Sequence, residues 1–273
     1  MSLSLALNTA LTGLHVNQRT MSVISNNIAN ANTEGYSRQV VDLESVTYGG
    51  EGGGVRIENV SRKVDEYLQT SIVNQSSSVG YSDAITDYYD GIQNLLGDPS
   101  LGNSIDEHIT TFFNDLSQVA ETPERTSTRA AVVESATIIA REMSSLALGL
   151  EELRMQSDLE ITSAVDTLNL KIEELFFMNE AVAEASAFGA GTANLLDQRD
   201  MLIEDISEYI NIRVNERENG TVDIYAGNGV NLLDYGYSEL SYNPISHIGN
   251  LVEDGEIFPI TVQPLNVDGE PIG

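Results

Sequence analysis

The side chains of this sequence able to do chemistry are three histidines and many carboxylates, and neither set is spaced for it. His15, His108 and His247 lie far apart. None has a second histidine or a carboxylate at the helical spacing that would turn two metal ligands onto one face. There is no cysteine, which removes thiol catalysis, disulfides and cysteine-ligated metals together. No nucleophile elbow, HExxH, Walker loop or GxGxxG pattern occurs. With 42 Asp and Glu residues, close carboxylate pairs arise by chance and give acid–base catalysis no support. Asp83, Asp87 and Asp90 repeat at helical spacing and read as a solvated face, since a calcium loop alternates its ligands. The expectation is a protein that is not an enzyme, with no catalytic residue, no metal and no cofactor.

The charge balance narrows the partners. Thirteen basic against 42 acidic residues give a net charge of −29, and Lys63 and Lys171 are the only lysines. A charge of that sign repels phosphate backbones and anionic lipid, so neither nucleic acid nor a membrane is expected as a partner. No run of about 18 apolar residues is present to span a bilayer. Residues 1–20 lack a basic region followed by an apolar block, so no cleaved secretory signal is expected.

What remains is architecture. Leu3, Leu7, Ala10, Leu14, Met21, Ile24 and Ile28 alternate four and three apart, with Asn17 in the one missing position. That is a coiled-coil seam, in which a single polar residue fixes register. As one narrow seam with nothing to bury against, residues 1–30 are expected to be loosely helical or disordered in the monomer. Tyr36–Leu43 reads as a strand or open arm, 49–54 as a flexible glycine loop and Val55–Val60 as a second strand. Helical spacing runs from about Ser61 to Leu96 and stops at Gly97-Asp98-Pro99. Ser104-Ile105-Asp106-Glu107 is a capping box for a short helix ended by Pro123.

From about Arg125 to Ala187 there is no proline and only one glycine, Gly149. Ile161, Val165, Leu168, Ile172, Leu175, Asn179 and Val182 repeat the heptad there. Some 60 helical residues would be about 90 Å long. Gly189-Ala190-Gly191 reads as a hinge. Asn194 is placed to cap the next helix, with Asp197 favoured by its dipole. Val214–Tyr225 is a hairpin around a two-residue Asn219-Gly220 turn, Gly227-Asn228-Gly229 is a second turn, and β-type segments follow. The expected fold is mostly α and elongated, a long coiled-coil-like helical bundle followed by a β-rich outer domain. The expected divisions are 1–32, an N-terminal coiled-coil helix; 33–210, a helical domain with a short β-type arm; and 211–273, a β-rich and incomplete domain.

The stretch that closes the first helix carries a resemblance. Ser25-Asn26-Asn27-Ile28-Ala29-Asn30-Ala31-Asn32-Thr33-Glu34-Gly35-Tyr36-Ser37-Arg38-Gln39 resembles the SxNIANxxTxGY motif shared by bacterial flagellar rod, hook and hook-associated proteins. Asn194-Leu195-Leu196-Asp197-Gln198-Arg199-Asp200, after a very long helix and before a β-rich part, is similar to the hook-associated protein 1 family. The order of elements matches that family from residue 1 to about 235. The resemblance implies a structural subunit joining hook to filament, exported by the flagellar type III system and assembled in a helical lattice. It implies as partners copies of itself, hook subunits, the second junction protein and, before secretion, an export chaperone. It implies a location outside the cell, in the flagellum, after a transient stay in the cytoplasm.

On this reading Leu3, Leu7, Leu14, Asn17, Met21, Ile24 and Ile28 form an assembly interface at an inner tube. Asn26, Asn27, Ile28, Asn30, Thr33, Gly35, Tyr36 and Arg38 carry the axial motif, with Tyr36 and Arg38 locking the arm that follows. Members of the family end in a long amphipathic helix that pairs with the N-terminal one. The segment Asn266–Gly273 contains no such helix, so the chain is expected to be a fragment or a truncated homologue. Two other readings stay open: another axial protein (the second junction protein, or a hook or rod subunit), and an acidic coiled-coil adhesin or scaffold.

Overall fold

The structure, a computed structural model, describes residues 3–48, 51–189, 191–244 and 259–272. His247, Ala190 of the expected hinge, Gly49, Gly50 and Gly273 lie outside the described residues. The chain forms two compact units. One comprises Met1–Val79, Thr167–Leu240 and Val262–Gly273; the other comprises Gly80–Asp166 and Ser241–Thr261.

The first unit starts with helix α1 (Leu3–Ala29) and an antiparallel ribbon of strands β1 (Gln39–Tyr48) and β2 (Glu51–Arg62). Helix α1 has two stripes. Val16 and Val23 are buried, and Thr9, Thr12, Thr20 and Asn27 lie half-buried on the same side. This stripe faces the ribbon, whose backbone at Gly54 comes so close to Thr12 that an added Cβ would collide with its Oγ1. The glycines expected to form a flexible loop are therefore strand. Gly52, Gly53 and Gly54 belong to β2, and the pairing shifts by one residue around buried Gly53. Glycine serves here where two backbones approach closely. The expectation of a helix with nothing to bury against missed this inner stripe, because threonine and asparagine do not register as apolar.

Helix α2 (Glu66–Leu96) starts later than the sequence suggested. Ser61 and Arg62 complete β2, and Asp65 caps the helix by accepting from the Tyr67 and Leu68 amides, both at 3.1 Å. The second unit contains the remainder of α2 from Gly80, helix α3 (Ile105–Glu121) and the first part of helix α4 (Thr126–Ala187). Ser104 caps α3 as the capping box requires, accepting from the Glu107 amide. Helix α4 runs through Gly149 without interruption. That glycine has a packing reason: a Cβ would collide with the Leu95 side chain of α2. His108 of α3 sits 3.8 Å from the Glu142 carboxylate on α4, and Asp83, Asp87 and Asp90 are exposed.

In the same unit the Tyr242 hydroxyl donates to the Asp158 carboxylate at 2.5 Å. That bond, with burial and the carboxylate's charge, pushes the phenol pKa up to about 12 from an ordinary 10.0. A folded-state pKa above the unfolded one gives stability that is present below the unfolded value and lost as pH rises through the folded one. The stability advantage of wild type over Tyr242→Phe should therefore shrink between pH 10 and 12 in denaturant titrations. A constant difference across that window would contradict the contact.

Back in the first unit, the heptad predicted on α4 is core, but its partner is a sheet. Leu168, Ile172, Leu175, Phe176 and Val182 are buried, together with Leu202, Ile203 and Ile206 of helix α5 (Ala193–Tyr209). Against them lies a five-stranded sheet in the order β3-β4-β5-β6-β7. Its strands are β3 (Ile212–Glu216), β4 (Val222–Ala226), β5 (Asn231–Leu233), β6 (Tyr237–Ser241) and β7 (Thr261–Leu265). The β3–β4 loop differs from the expected two-residue turn. Arg217 and Thr221 still bond across it, the Gly220 amide returns to the Arg217 carbonyl, and Gly220 alone takes a positive φ of 83°. This is the three-residue loop with a left-handed glycine; a two-residue type I′ turn would need positive φ at Asn219 too. Ala226 and Val230 close the second turn in the same way, around Gly229.

Candidate assembly joint

The predicted seam lies on the open face of α1. Leu7, Leu14, Met21, Ile24 and Ile28 are all exposed, Met21 by 65% and Ile28 by 72%, and Asn17 is exposed beside them. Leu3 opens the same helix. Val16 and Val23 are buried on the other side of the helix, toward the ribbon, and the apolar seam faces outward.

Two of the asparagines that close α1, Asn27 and Asn30, have a physical task. The Asn27 amide pairs with both backbone groups of Gln39: its Nδ2 donates to the carbonyl at 2.8 Å and its Oδ1 accepts from the amide at 2.9 Å. The Tyr36 hydroxyl donates to the same Oδ1 at 3.0 Å. An asparagine amide thus stands in for a neighbouring strand at the start of β1. Asn30 bonds back to the Asn26 carbonyl at 3.0 Å and accepts from the Thr33 hydroxyl at 3.3 Å. Gly35 turns the chain at a φ of 73°, and a Cβ there would collide with Met201 of α5. Arg38, expected to lock the arm, is exposed and joins no ion pair among the described residues.

The lock is Arg62, at the end of β2. Its Nη1 donates to Asp197 and to Asp200, both at 2.8 Å. Asp197 also accepts the Ser37 amide at 3.1 Å. Beyond Asp200 stands Arg199, 2% exposed, bound to Asp200 at 2.7 Å and to Glu216 of β3 at 3.1 Å, with a further bond to the Gly220 carbonyl of the β3–β4 loop. The NLLDQRD segment is therefore the centre of a chain of charges running from the arm to the sheet. Burial lowers the Arg62 pKa, but the hydrogen bonds and charges of Asp197 and Asp200 outweigh it and hold the guanidinium above its ordinary value. Burial, then the Asp197 charge, raises Tyr36.

The structure brings the axial motif and the 194–200 segment together, whereas the seam, which shares Ile28 with the motif, is exposed on α1. Asn194 does not cap α5. Thr192 occupies that position without a side-chain bond, and Asn194 instead accepts from Gln39 Nε2 at 2.7 Å. Asp197 lies beyond the first turn, and its environment is Arg62 rather than the helix dipole. Leu195 and Leu196 are half-buried, and Gln198 is exposed. Sequence reasoning missed Arg62, whose partners lie 135 and 138 residues away, and Glu216, which is 17 residues from Arg199. The one signal for Arg62 was that it is basic at a strand end in a chain with 13 basic residues.

Asn27→Ala should lower stability by about 1–3 kcal/mol, the cost of leaving half-buried backbone groups unpaired. Asn27→Asp should cost at least as much in denaturant unfolding, because a carboxylate cannot donate to the Gln39 carbonyl. Equal stability of Asn27→Asp and wild type would contradict the pairing.

Among the described residues no group of three or more His, Asp or Glu could hold a metal ion, and no helix is long and apolar enough to cross a membrane.

The family model for the flagellar hook-associated protein FlgK helical domain matches residues 89–244, and that for the flagella basal body rod protein matches residues 7–36. Flagellar hook-associated protein 1 of Bacillus subtilis is 27% identical over 97% of this chain and 54% of its own length. The protein of the same name from Salmonella typhimurium is 28% identical over 85% of this chain and 43% of its own length. The chain thus spans about half the length of the curated relatives it matches. The structure of the flagellar hook junction protein FlgK from Burkholderia pseudomallei has a similar fold, with a TM-score of 0.52 and 23% identity over 64% of this chain and 30% of that one. With the helical-domain model matched over more than half of its residues, the chain belongs to the family of the flagellar hook-associated protein FlgK, hook-associated protein 1.

Proposed function

We propose that this chain is a structural, non-enzymatic subunit of the bacterial flagellum at the junction between hook and filament. It leaves the cell through the flagellar type III route, escorted by an export chaperone, and stacks side by side with its own copies in a helical lattice. The α1 helix lies at an inner tube and the β-rich part on the outside. Its neighbours in the axis are hook subunits and the second junction protein. The divisions 1–32, 33–210 and 211–273 are the inner helix, the helical body with its arm, and the outer domain.

The observation that carries this reading is the outward seam of α1, held in place by a joint built from the axial motif and the 194–200 segment. A soluble protein gains nothing by fixing five large apolar side chains in water; a subunit that polymerises along that helix does. Electron microscopy of a strain lacking the gene tests it. Hooks without filaments, with unassembled filament protein in the medium, are expected, and the intact gene should restore filaments while Met21→Asp with Ile24→Asp should not. Filaments attached to hooks in the null strain would overturn the assignment.

A further inference from the structure

The two units carry their charge differently, and we infer that the helical stretch 80–166 is an element whose folding is conditioned by ionic strength. Salt holds it closed and low ionic strength opens it locally, while the unit that contains the joint stays folded. The inference goes beyond the assembly role and does not depend on it.

Of the 42 acidic residues, sixteen fall in 80–166, against four arginines and no lysine. Thirteen of those sixteen are exposed, so their charges face solvent and one another. Arg125, Arg129, Arg141 and Arg154 are exposed as well, and none joins an ion pair among the described residues. Arg129 instead donates to the Pro123 carbonyl at 2.8 Å. Among the described residues the closest approach of a basic group to a carboxylate in this stretch is His108 to Glu142, at 3.8 Å. The unit with the joint is built otherwise. It has nine basic residues for 23 acidic ones, and Arg56, Arg62, Lys171, Arg199 and Arg217 all hold carboxylates.

Spacing adds to the imbalance. Asp83, Asp87 and Asp90 stand four and three residues apart on the exposed side of α2, where like charges repel. Repulsion of this kind acts through solvent and is screened by salt. The screening length is about 30 Å at about 0.01 M and about 3 Å at about 1 M. At the lower concentration a carboxylate of the stretch feels most of the others; at the higher it feels only its nearest neighbours. The ion pairs of the joint attract and are largely buried, so screening changes them little.

Amide hydrogen exchange on this chain, read by segment at fixed pH, tests the inference. From about 0.01 M to about 1 M sodium chloride, exchange in 80–166 should slow at least about tenfold, and exchange in 197–206 of α5 by less than about threefold. Potassium chloride should act as sodium chloride does, because screening depends on ionic strength and not on a bound ion. Salt also strengthens apolar packing, and a neutralised variant separates that effect from charge. Asp83→Asn, Asp87→Asn and Asp90→Asn together should slow exchange in the 80–96 part of α2 at low salt and cut the salt response there at least about twofold, with circular dichroism to verify the fold. Equal salt responses in the two units would overturn the inference. So would a response to only one of the two cations, or a folded triple variant that keeps the full wild-type response.

Discussion

Arg62→Ala should destabilise the unit that holds the joint by about 3–5 kcal/mol, because it leaves buried carboxylates without their cation. Asp197 and Asp200 both lose a bond of 2.8 Å, and their side chains are only 7% and 13% exposed. Arg199 cannot compensate fully, since it is already committed to Asp200, Glu216 and the Gly220 carbonyl. Arg62→Lys should recover part of the loss: it restores the charge but not a guanidinium able to serve two carboxylates at once. Denaturant unfolding measures both. If Arg62→Ala unfolds within about 0.5 kcal/mol of wild type, the typical effect of a surface substitution, the lock is not a lock.

The second large effect is expected at Asn179, in the middle of the α4 heptad. Its Nδ2 donates to the Val222 carbonyl at 2.7 Å and its Oδ1 accepts from the Val222 amide at 3.0 Å. Asn169, further back on the same helix, does the same to Leu240 of β6, both bonds at 2.8 Å. With Asn27 and Gln39 this makes three places where a helical asparagine pairs with both backbone groups of one strand residue. Asn179 is buried, so Asn179→Leu leaves an amide and a carbonyl unpaired in the core and should cost about 2–5 kcal/mol. Asn169→Leu, at a half-buried site, should cost less. If Asn179→Leu stabilised the protein, as an apolar residue at a coiled-coil position would, the sheet contact would be wrong and the heptad reading right.

Asn179 also shows where the sequence could be read and where it could not. The periodicity of α4 located its buried face, because burial follows from spacing along one helix whatever covers it. It did not say that the cover is a sheet, since a heptad position facing a strand and one facing a helix look alike in sequence. Asn17 and Asn179 both filled polar gaps in heptads, yet one is exposed on an open seam and the other is fastened to β4. The Ser104 cap and the Gly97 stop were legible because they act over three or four residues. Arg62 was not, since its partners are 135 and 138 residues away. The segment 194–200 stood out by resemblance, but the local assignment of Asn194 as a cap failed; a contact with Gln39, 155 residues away, took its amide.

The central claim is that two stretches far apart in sequence, the arm that follows the asparagine-rich helix end and the segment around Asp197, form one joint. A double-mutant cycle on Arg62 and Asp197 measures it most directly. Unfolding free energies of wild type, Arg62→Ala, Asp197→Ala and the double variant should show Arg62→Ala costing at least about 1 kcal/mol less once Asp197 is gone, within the range expected for contacting residues. Additive costs would mean that the two side chains do not act on each other and would contradict the joint.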